Sequence, residues 1–143
     1  MKRYRFTMSG VLRVRQITEE QTRATYLDAQ AQAQLASDEL EARLQAIGSA
    51  TPQPGRRSTA EFREEREQLD RHHLAVLAAR TAEANALEIA SSTYEDWVES
   101  AREVRALERL DGRQHSEWSL EATRTAQLAT DEIATTRFRL DKG

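Results

Sequence analysis

Three histidines, His72, His73 and His115, are the side chains of this chain best suited to ligate a metal ion or to transfer protons near neutral pH. His72 and His73 are neighbours and therefore point to different sides of a helix, while His115 lies far away in the sequence. The chain has no HExxH motif and no cysteine, so it offers no ligand cluster. We expect no metal site and no cofactor.

Nucleophilic and phosphate-binding motifs are also missing from the sequence. The five glycines stand alone at positions 10, 48, 55, 112 and 143, so neither a phosphate-binding loop nor a dinucleotide fingerprint is present. No nucleophile elbow surrounds any serine. Carboxylates are plentiful, but a thin helical structure offers no pocket to desolvate a pair of them and separate their pKa values. We expect no catalytic residues and no enzymatic activity.

The composition leaves little material for a globular interior. Apolar residues make up 38% of the chain and charged residues 31%, against roughly 45–50% and roughly 25% in typical globular domains. The net charge of −3 argues against a nucleic-acid-binding protein, which is normally basic. No apolar run approaches the core of a signal peptide or a membrane span. A soluble intracellular protein is therefore expected.

The first 23 residues are the exception to this acidic balance. They carry six basic side chains against two acidic ones, a local charge of +4 that leaves −7 for the rest of the chain. This end suits an acidic partner or a membrane surface. An ordinary solvated helix start explains the same charges, because isolated surface charges contribute little.

One loop divides the chain into two proline-free segments. Both prolines fall between residues 48 and 55, and Gly48 can take the left-handed conformation that ends a helix. Downstream, Ser58 and Glu61 form a capping box that starts the next helix. The sequence predicts a single helical-hairpin domain over residues 1–143, with helices at about 8–47 and 59–138 and a loop at 48–58.

Both segments show helical periodicity and no strand pattern. Ala, Glu, Gln, Arg and Leu dominate them, and all five are strong helix formers. In the second segment a 3,4 spacing predicts a coiled-coil seam with polar interruptions. The seam positions are Leu69, His73, Val76, Arg80, Glu83, Leu87, Ala90, Tyr94, Trp97, Ala101 and Val104.

The apolar pattern of the first segment changes phase. One stripe comprises Ile17, Ala24, Leu27, Ala31 and Leu35, and a second, rotated stripe comprises Leu40, Leu44 and Ile47. At 100° per residue the two stripes do not face the same way. We expect a stutter in the coiled coil, and a second face for a second partner is the alternative.

The unequal helix lengths leave part of the second helix uncovered. Folded back antiparallel, helices of roughly 60 Å and 120 Å leave the second one bare beyond about residue 100. This overhang contains large apolar side chains, namely Trp118, Leu120, Leu128, Ile133 and Phe138. Because exposed apolar helices need packing partners, we expect another protein to cover them. A bend at Gly112 that forms a third helix and a homodimer are the alternatives.

Several segments resemble the FliJ family of flagellar type III export stalk proteins in order and spacing. The resemblance is carried by WVESAREVRALERLDGRQ at residues 97–114 and by DEIA at residues 131–134. The opening stretch from Phe6 through VLRVR at residues 11–15 to Glu19 and Glu20 is also similar to the family's first helix. Together the similar parts span nearly the whole chain.

The resemblance implies an all-α fold, a long antiparallel two-helix coiled coil that forms a helical hairpin with a C-terminal helical overhang. Family members insert their terminal end into the pore of the hexameric flagellar export ATPase, promote its assembly and activity, and engage the cytoplasmic domain of the membrane export gate. They are also credited with escorting export chaperones. The resemblance therefore implies a cytoplasmic protein that is peripheral at the inner membrane and reaches it only through its partners.

The resemblance also suggests which residues meet each partner. For the gate, residues at matching spacing are Phe62, Leu69 and His73, with Leu40, Leu44 and Ile47 standing where the family usually presents tyrosines. For the ATPase, the expected residues lie at the termini, where both charge signs can set register and orientation. They are Arg13, Arg15, Trp118, Asp131, Glu132, Ile133 and Phe138.

Three other functions fit the same helices. One is the equivalent stalk of a virulence-type secretion system. Another is a homodimeric coiled-coil scaffold that buries the overhang by self-association. The third is an escort for export chaperones, in which an apolar helix face binds export cargo.

Overall fold

The computed structural model describes residues 3–50 and 54–142, and this part of the chain forms two helices and no strand. Helix α1 spans Ser9–Ala50 and helix α2 spans Thr59–Asp141. The two helices pack against each other, which confirms the expected all-α helical hairpin. None of the described helices is apolar over a stretch long enough to cross a membrane.

The chain divides into two compact units. The loop unit consists of Glu20–Glu99 and contains the connection between the helices. The terminal unit consists of Met1–Glu19 and Ser100–Gly143. Each unit therefore pairs one part of α1 with one part of α2.

The start of α2 follows the predicted capping box. The backbone N–H of Glu61 donates to the Ser58 hydroxyl oxygen at 3.1 Å, and the Ser58 N–H donates to the Glu61 carboxylate at 3.1 Å. The end of α1 differs from the prediction, because Gly48 lies inside the helix and no described glycine has a positive φ. Glycine permits the left-handed conformation without requiring it, so α1 continues to Ala50. Pro52 lies outside the described residues.

The register of the loop unit explains how far α1 extends along α2. Tyr26 stacks on Trp97 with ring centroids 5.5 Å apart and also contacts Tyr94 at 5.3 Å. A tight turn midway between the helices would instead place Tyr26 opposite about residue 83, because antiparallel helices advance equally. The stacked rings therefore show that α1 is shifted along α2, which helix lengths alone do not show. Just ahead of α2, Arg57 pairs with Glu65.

Small side chains form the contact between the helices in the loop unit. The buried residues there are Ala29, Ala33, Val76 and Ala79. The predicted seam is correct at alternate positions, since Leu69, Val76, Glu83, Ala90 and Trp97 are buried or half-buried. It is wrong at His73, Arg80 and Leu87, which are exposed, while the preceding residues His72, Ala79 and Ala86 are buried or half-buried. Tyr94 is also more exposed than the preceding Thr93, although its ring still contacts Tyr26. Helix separation depends on the side chains at the contact, so alanines suit a close approach.

The contact face of α1 continues in one heptad register, so the expected stutter is wrong. Its loop-unit positions are Thr22, Tyr26, Ala29, Ala33, Ala36, Leu40 and Ile47, all buried or half-buried, while Arg43 in the same register is exposed. The other predicted stripe faces outward, with Leu27 and Leu35 exposed to 50% and 61%. The apolar pattern therefore reflects two faces, one for α2 and one that stays exposed.

Candidate functional site

A short non-helical strap, residues 3–8, precedes α1 in the terminal unit and packs on α2. The Tyr4 hydroxyl donates to the Asp111 carboxylate at 2.6 Å and lies 3.1 Å from the Asp111 main-chain oxygen. The Thr7 hydroxyl contacts the Gln114 side-chain oxygen at 3.2 Å. Phe6 is only 6% exposed and is the one aromatic side chain among the buried residues described. The strap is thus anchored by both polar and apolar contacts.

The anchor changes the acidity of Tyr4. Desolvation raises the pKa of the Tyr4 hydroxyl to about 12, and the hydrogen bond and negative charge of Asp111 act in the same direction. The neutral phenol is the form that donates a hydrogen bond to a carboxylate. Tyr4 is therefore protonated and acts as a donor throughout the neutral range.

Trp118 lies beneath the strap. The Tyr4 ring meets the His115 ring edge-on at 4.8 Å and lies 5.8 Å from the Trp118 ring. Trp118 is half-buried as a result. The expectation that the hairpin leaves Trp118 uncovered is wrong, because residues ahead of α1 cover α2 where the helix itself has not yet begun.

Four arginines form an exposed stripe on α2, and the sequence analysis did not identify it. This arginine stripe comprises Arg102, Arg105, Arg109 and Arg113. At 100° per residue it faces away from the packed positions Val104, Leu107 and Asp111. The signal that could have found it is the 3,4,4 spacing of like charges.

The arginine stripe lacks neutralising partners over most of its length. In the part of the chain that the structure describes, no carboxylate forms an ion pair with Arg105, Arg109 or Arg113. Like charges four residues apart destabilise a helix by about 0.2–0.5 kcal/mol per pair. The stripe therefore costs helix stability and favours a negatively charged partner surface.

The two arginines expected on α1 lie in the same unit. Arg13 is exposed. Arg15 is also exposed, and its guanidinium pairs with the Glu103 carboxylate at 2.9 Å. An exposed pair of this kind contributes about 0–1 kcal/mol, so it does not prevent Arg15 from exchanging Glu103 for another carboxylate.

The distal part of α2, residues 123–141, is exposed at every position. Ile133 and Phe138 are exposed to 56% and 62%, and Asp131 and Glu132 stand beside them. The Lys142 ammonium lies 4.5 Å from the centre of the Phe138 ring. α2 continues without interruption through Gly112, so the third-helix alternative is wrong. The last part of the overhang, residues 123–141, is helical, and no described part of the chain covers it.

The residues expected to meet the export gate fall into two groups in the loop unit. Phe62, His73 and Leu44 are exposed. Leu69, Leu40 and Ile47 are half-buried on the faces where α1 and α2 meet. The structure therefore presents one group directly to solvent and engages the other in helix packing.

A shallow groove of about 430 Å³ follows the contact between the helices in the loop unit. Its lining residues are Tyr26, Gln30, Ala33, Gln34, Ser37, Leu87, Ala90, Ser91 and Tyr94. No charged side chain lines it, although charged residues make up 31% of the chain. Among the described residues, no group of three or more His, Cys, Asp or Glu side chains is arranged to hold a metal ion.

A known protein family matches nearly the whole chain. The family model described as "Flagellar FliJ protein" matches residues 4–143, which include the strap from Tyr4 onward, both helices and the overhang. No curated protein and no solved structure matches the chain.

Proposed function

The chain belongs to the FliJ family and is thus a component of the flagellar protein-export apparatus, and within that apparatus we propose that it is the non-enzymatic stalk of the export ATPase. The stalk inserts into the hexameric ATPase ring, promotes its assembly and activity, and couples it to the membrane export gate. The observation that carries this proposal is the uncovered distal part of α2, residues 123–141.

The distal segment supports a ring partner because exposed apolar side chains on an isolated helix gain stability only from outside contacts. Ile133 and Phe138 supply apolar contacts, and Asp131 and Glu132 supply negative charge. The proposed ATPase-contacting set also includes Trp118, Arg13 and Arg15. Mixed charge at this end orients the helix on entering a ring, because electrostatic complementarity fixes register.

The arginine stripe supports the same partner from a different stretch of α2. Arg105, Arg109 and Arg113 have no carboxylate partner among the described residues, and such guanidinium groups are stabilised when an acidic surface faces them. Acidic side chains inside the ATPase ring would supply that surface. The stripe also predicts that binding weakens with added salt, since exposed charges are screened.

Gate binding is the second part of the proposal. Phe62, His73 and Leu44 present side chains to solvent in the loop unit, and Leu69, Leu40 and Ile47 support them from the packed face. The cytoplasmic domain of the export gate is the proposed partner here. Export chaperones are further proposed partners, membrane contact is made only through partners, and neither nucleic acid nor a cofactor has a role.

The deciding experiment measures ATP hydrolysis by the purified export ATPase of the same organism, with and without this protein, where ring assembly is incomplete. We expect hydrolysis to rise and to saturate near one chain per hexamer. The Ile133→Asp, Phe138→Asp double variant removes the rise and leaves the helix content unchanged. A matched control, Leu74→Asp with Leu77→Asp, alters two equally exposed leucines of the loop unit and keeps the rise.

The competing functions give different results in the same assay. A homodimeric scaffold leaves the hydrolysis rate unchanged and sediments as a stable dimer at micromolar concentration. A chaperone escort leaves the rate unchanged and binds export chaperones or their cargo. For the gate contact, Phe62→Asp is expected to weaken binding to the gate's cytoplasmic domain, whereas Leu77→Asp, similarly exposed on α2, leaves it intact.

A further inference from the structure

The strap carries both anchored and exposed side chains. Tyr4 and Phe6 pack on α2, whereas Arg3 and Arg5 are exposed. Arg5 lies between the two anchored residues and Arg3 directly precedes Tyr4, so the anchors restrict where both arginines can lie. The two arginines are held outward by their neighbours in the sequence.

The anchors are specific in chemistry as well as in shape. A phenol that meets both a carboxylate and a main-chain oxygen of Asp111 holds the strap at one position along α2. Phe6 supplies the apolar part of the anchor, being the one buried aromatic side chain described. A simple flexible tail has no need of either contact.

Arg3 and Arg5 form no ion pair with the residues that the structure describes. No described carboxylate pairs with Arg3 or Arg5. Their backbone is already ordered by the anchors, so a partner that binds them does not have to immobilise a loose segment. Preordered cations without partners fit an acidic surface.

We propose that Tyr4, Phe6 and Asp111 form a clasp that positions Arg3 and Arg5 for contact with an acidic surface of the ATPase ring. Tyr4 and Asp111 are positioning residues in this scheme, and the arginines make the contact. The inference rests on the proposed stalk function and adds residues that lie ahead of α1. The clasp stays closed while the partner is bound.

The first test compares a double and two single variants in the ATPase assay. Arg3→Glu with Arg5→Glu, and separately Tyr4→Ala, are each expected to raise the concentration of this protein that gives half-maximal stimulation roughly fivefold or more. The rate at saturation stays the same, because the ring contacts of distal α2 are untouched. Tyr4→Phe, which removes only the hydroxyl, shifts the half-maximal concentration in the same direction by less and serves if Tyr4→Ala disturbs folding.

The second test restores the clasp by other means. Thr7 and Gln114 are side-chain neighbours, and the chain contains no cysteine, so Thr7→Cys with Gln114→Cys has only one disulfide available within the chain, and mass spectrometry of the oxidised protein verifies that it has formed before the assay. In the Tyr4→Ala background we expect the oxidised form to recover the wild-type half-maximal concentration and the reduced form to lose it. Thr7→Cys alone, treated with the same oxidant, is the matched control and recovers nothing.

The outcomes separate the clasp from the stalk. If the wild-type chain does not stimulate the ATPase, the proposed function itself fails. If it does, but the arginine and Tyr4 variants behave like wild type, the clasp is overturned and the stalk stands. Failure of the disulfide to rescue Tyr4→Ala would overturn the positioning role. Loss of stimulation when the disulfide locks an otherwise wild-type strap would show that the strap opens, which also overturns the proposal.

Discussion

The loop unit and the terminal unit join the same two helices by different chemistry. In the loop unit, alanines such as Ala33 and Ala79 bury a continuous contact face, and Tyr26 stacks on Trp97. In the terminal unit, the helices are joined by the strap and by the pair of Arg15 with Glu103, and most of the remaining described residues are exposed. One region uses its side chains to hold the helices together, and the other keeps its side chains available for partners.

The largest expected effect is on the stability of the loop unit. Ala79→Glu places a charge on the buried contact face and is expected to lower the free energy of unfolding by about 2–4 kcal/mol, because the carboxylate loses water without gaining a partner. Ala78→Glu is the matched control, since Ala78 is exposed one residue away and the helix propensity of the substitution is identical. Thermal and urea unfolding followed by circular dichroism measure both variants. Equal losses would mean that the alanine contact does not stabilise the unit.

The next prediction concerns local opening. Amide hydrogens of residues 123–141 are expected to exchange with solvent at least about 100-fold faster than those near Ala33 and Ala79, because few packed side chains oppose opening of the distal helix. Hydrogen exchange read by mass spectrometry tests this. Addition of the export ATPase is expected to slow exchange in residues 123–141 and to leave the contact around Ala79 unchanged. Uniform protection in the free chain would remove the contrast between the two units.

The same contrast explains how much could be predicted from the sequence. The two helices, the Ser58 capping box and the overhang follow from local signals, namely composition, turn residues and length. The contact face did not, because the apolar pattern favours Leu87 and Tyr94, whereas packing uses the smaller Ala86 and Thr93 beside them. Hydrophobicity ranks side chains by the free energy gained when they are buried, whereas close helix packing selects side chains by size.

The sequence predicted only those parts of the candidate site that depend on residues close together in the chain. Exposed Ile133 and Phe138 follow from helical periodicity and the absence of a covering segment. The bond between Tyr4 and Asp111 joins residues 107 positions apart, and no periodicity within either segment signals it. The arginine stripe, in contrast, was visible as like charges at helical spacing and can be sought in other helical sequences.

A smaller effect is expected from reversing one charge of the arginine stripe. Arg109→Glu replaces repulsion of Arg105 and Arg113 by attraction at both i,i+4 spacings, and is expected to stabilise the folded chain by about 1 kcal/mol. It is also expected to raise the concentration needed to stimulate the ATPase. Arg109→Gln, which removes the charge without reversing it, gives about half the gain in stability. Thermal unfolding measures the change in stability, and the ATPase assay measures the change in binding. A variant that gains stability without losing stimulation would show that the stripe does not bind the ATPase.

The smallest effect is confined to the clasp and depends on pH. The pKa of Tyr4 is raised to about 12 from an ordinary value of 10.0, so the folded chain holds the proton more tightly than the unfolded chain does. The stabilisation is therefore complete below pH 10 and is lost as the pH rises through about 12. In a Trp97→Phe background, Trp118 remains the only tryptophan and reports on the Tyr4 ring 5.8 Å away. We expect its fluorescence to change over this pH range while helix content in the loop unit is retained, because ionisation of Tyr4 sets two negative charges against each other at Asp111. Tyr4→Phe has no proton to lose at this position and is expected to abolish that change. A fluorescence transition of equal size in Tyr4→Phe would show that another group titrates and that the hydrogen bond from Tyr4 to Asp111 does not hold the strap.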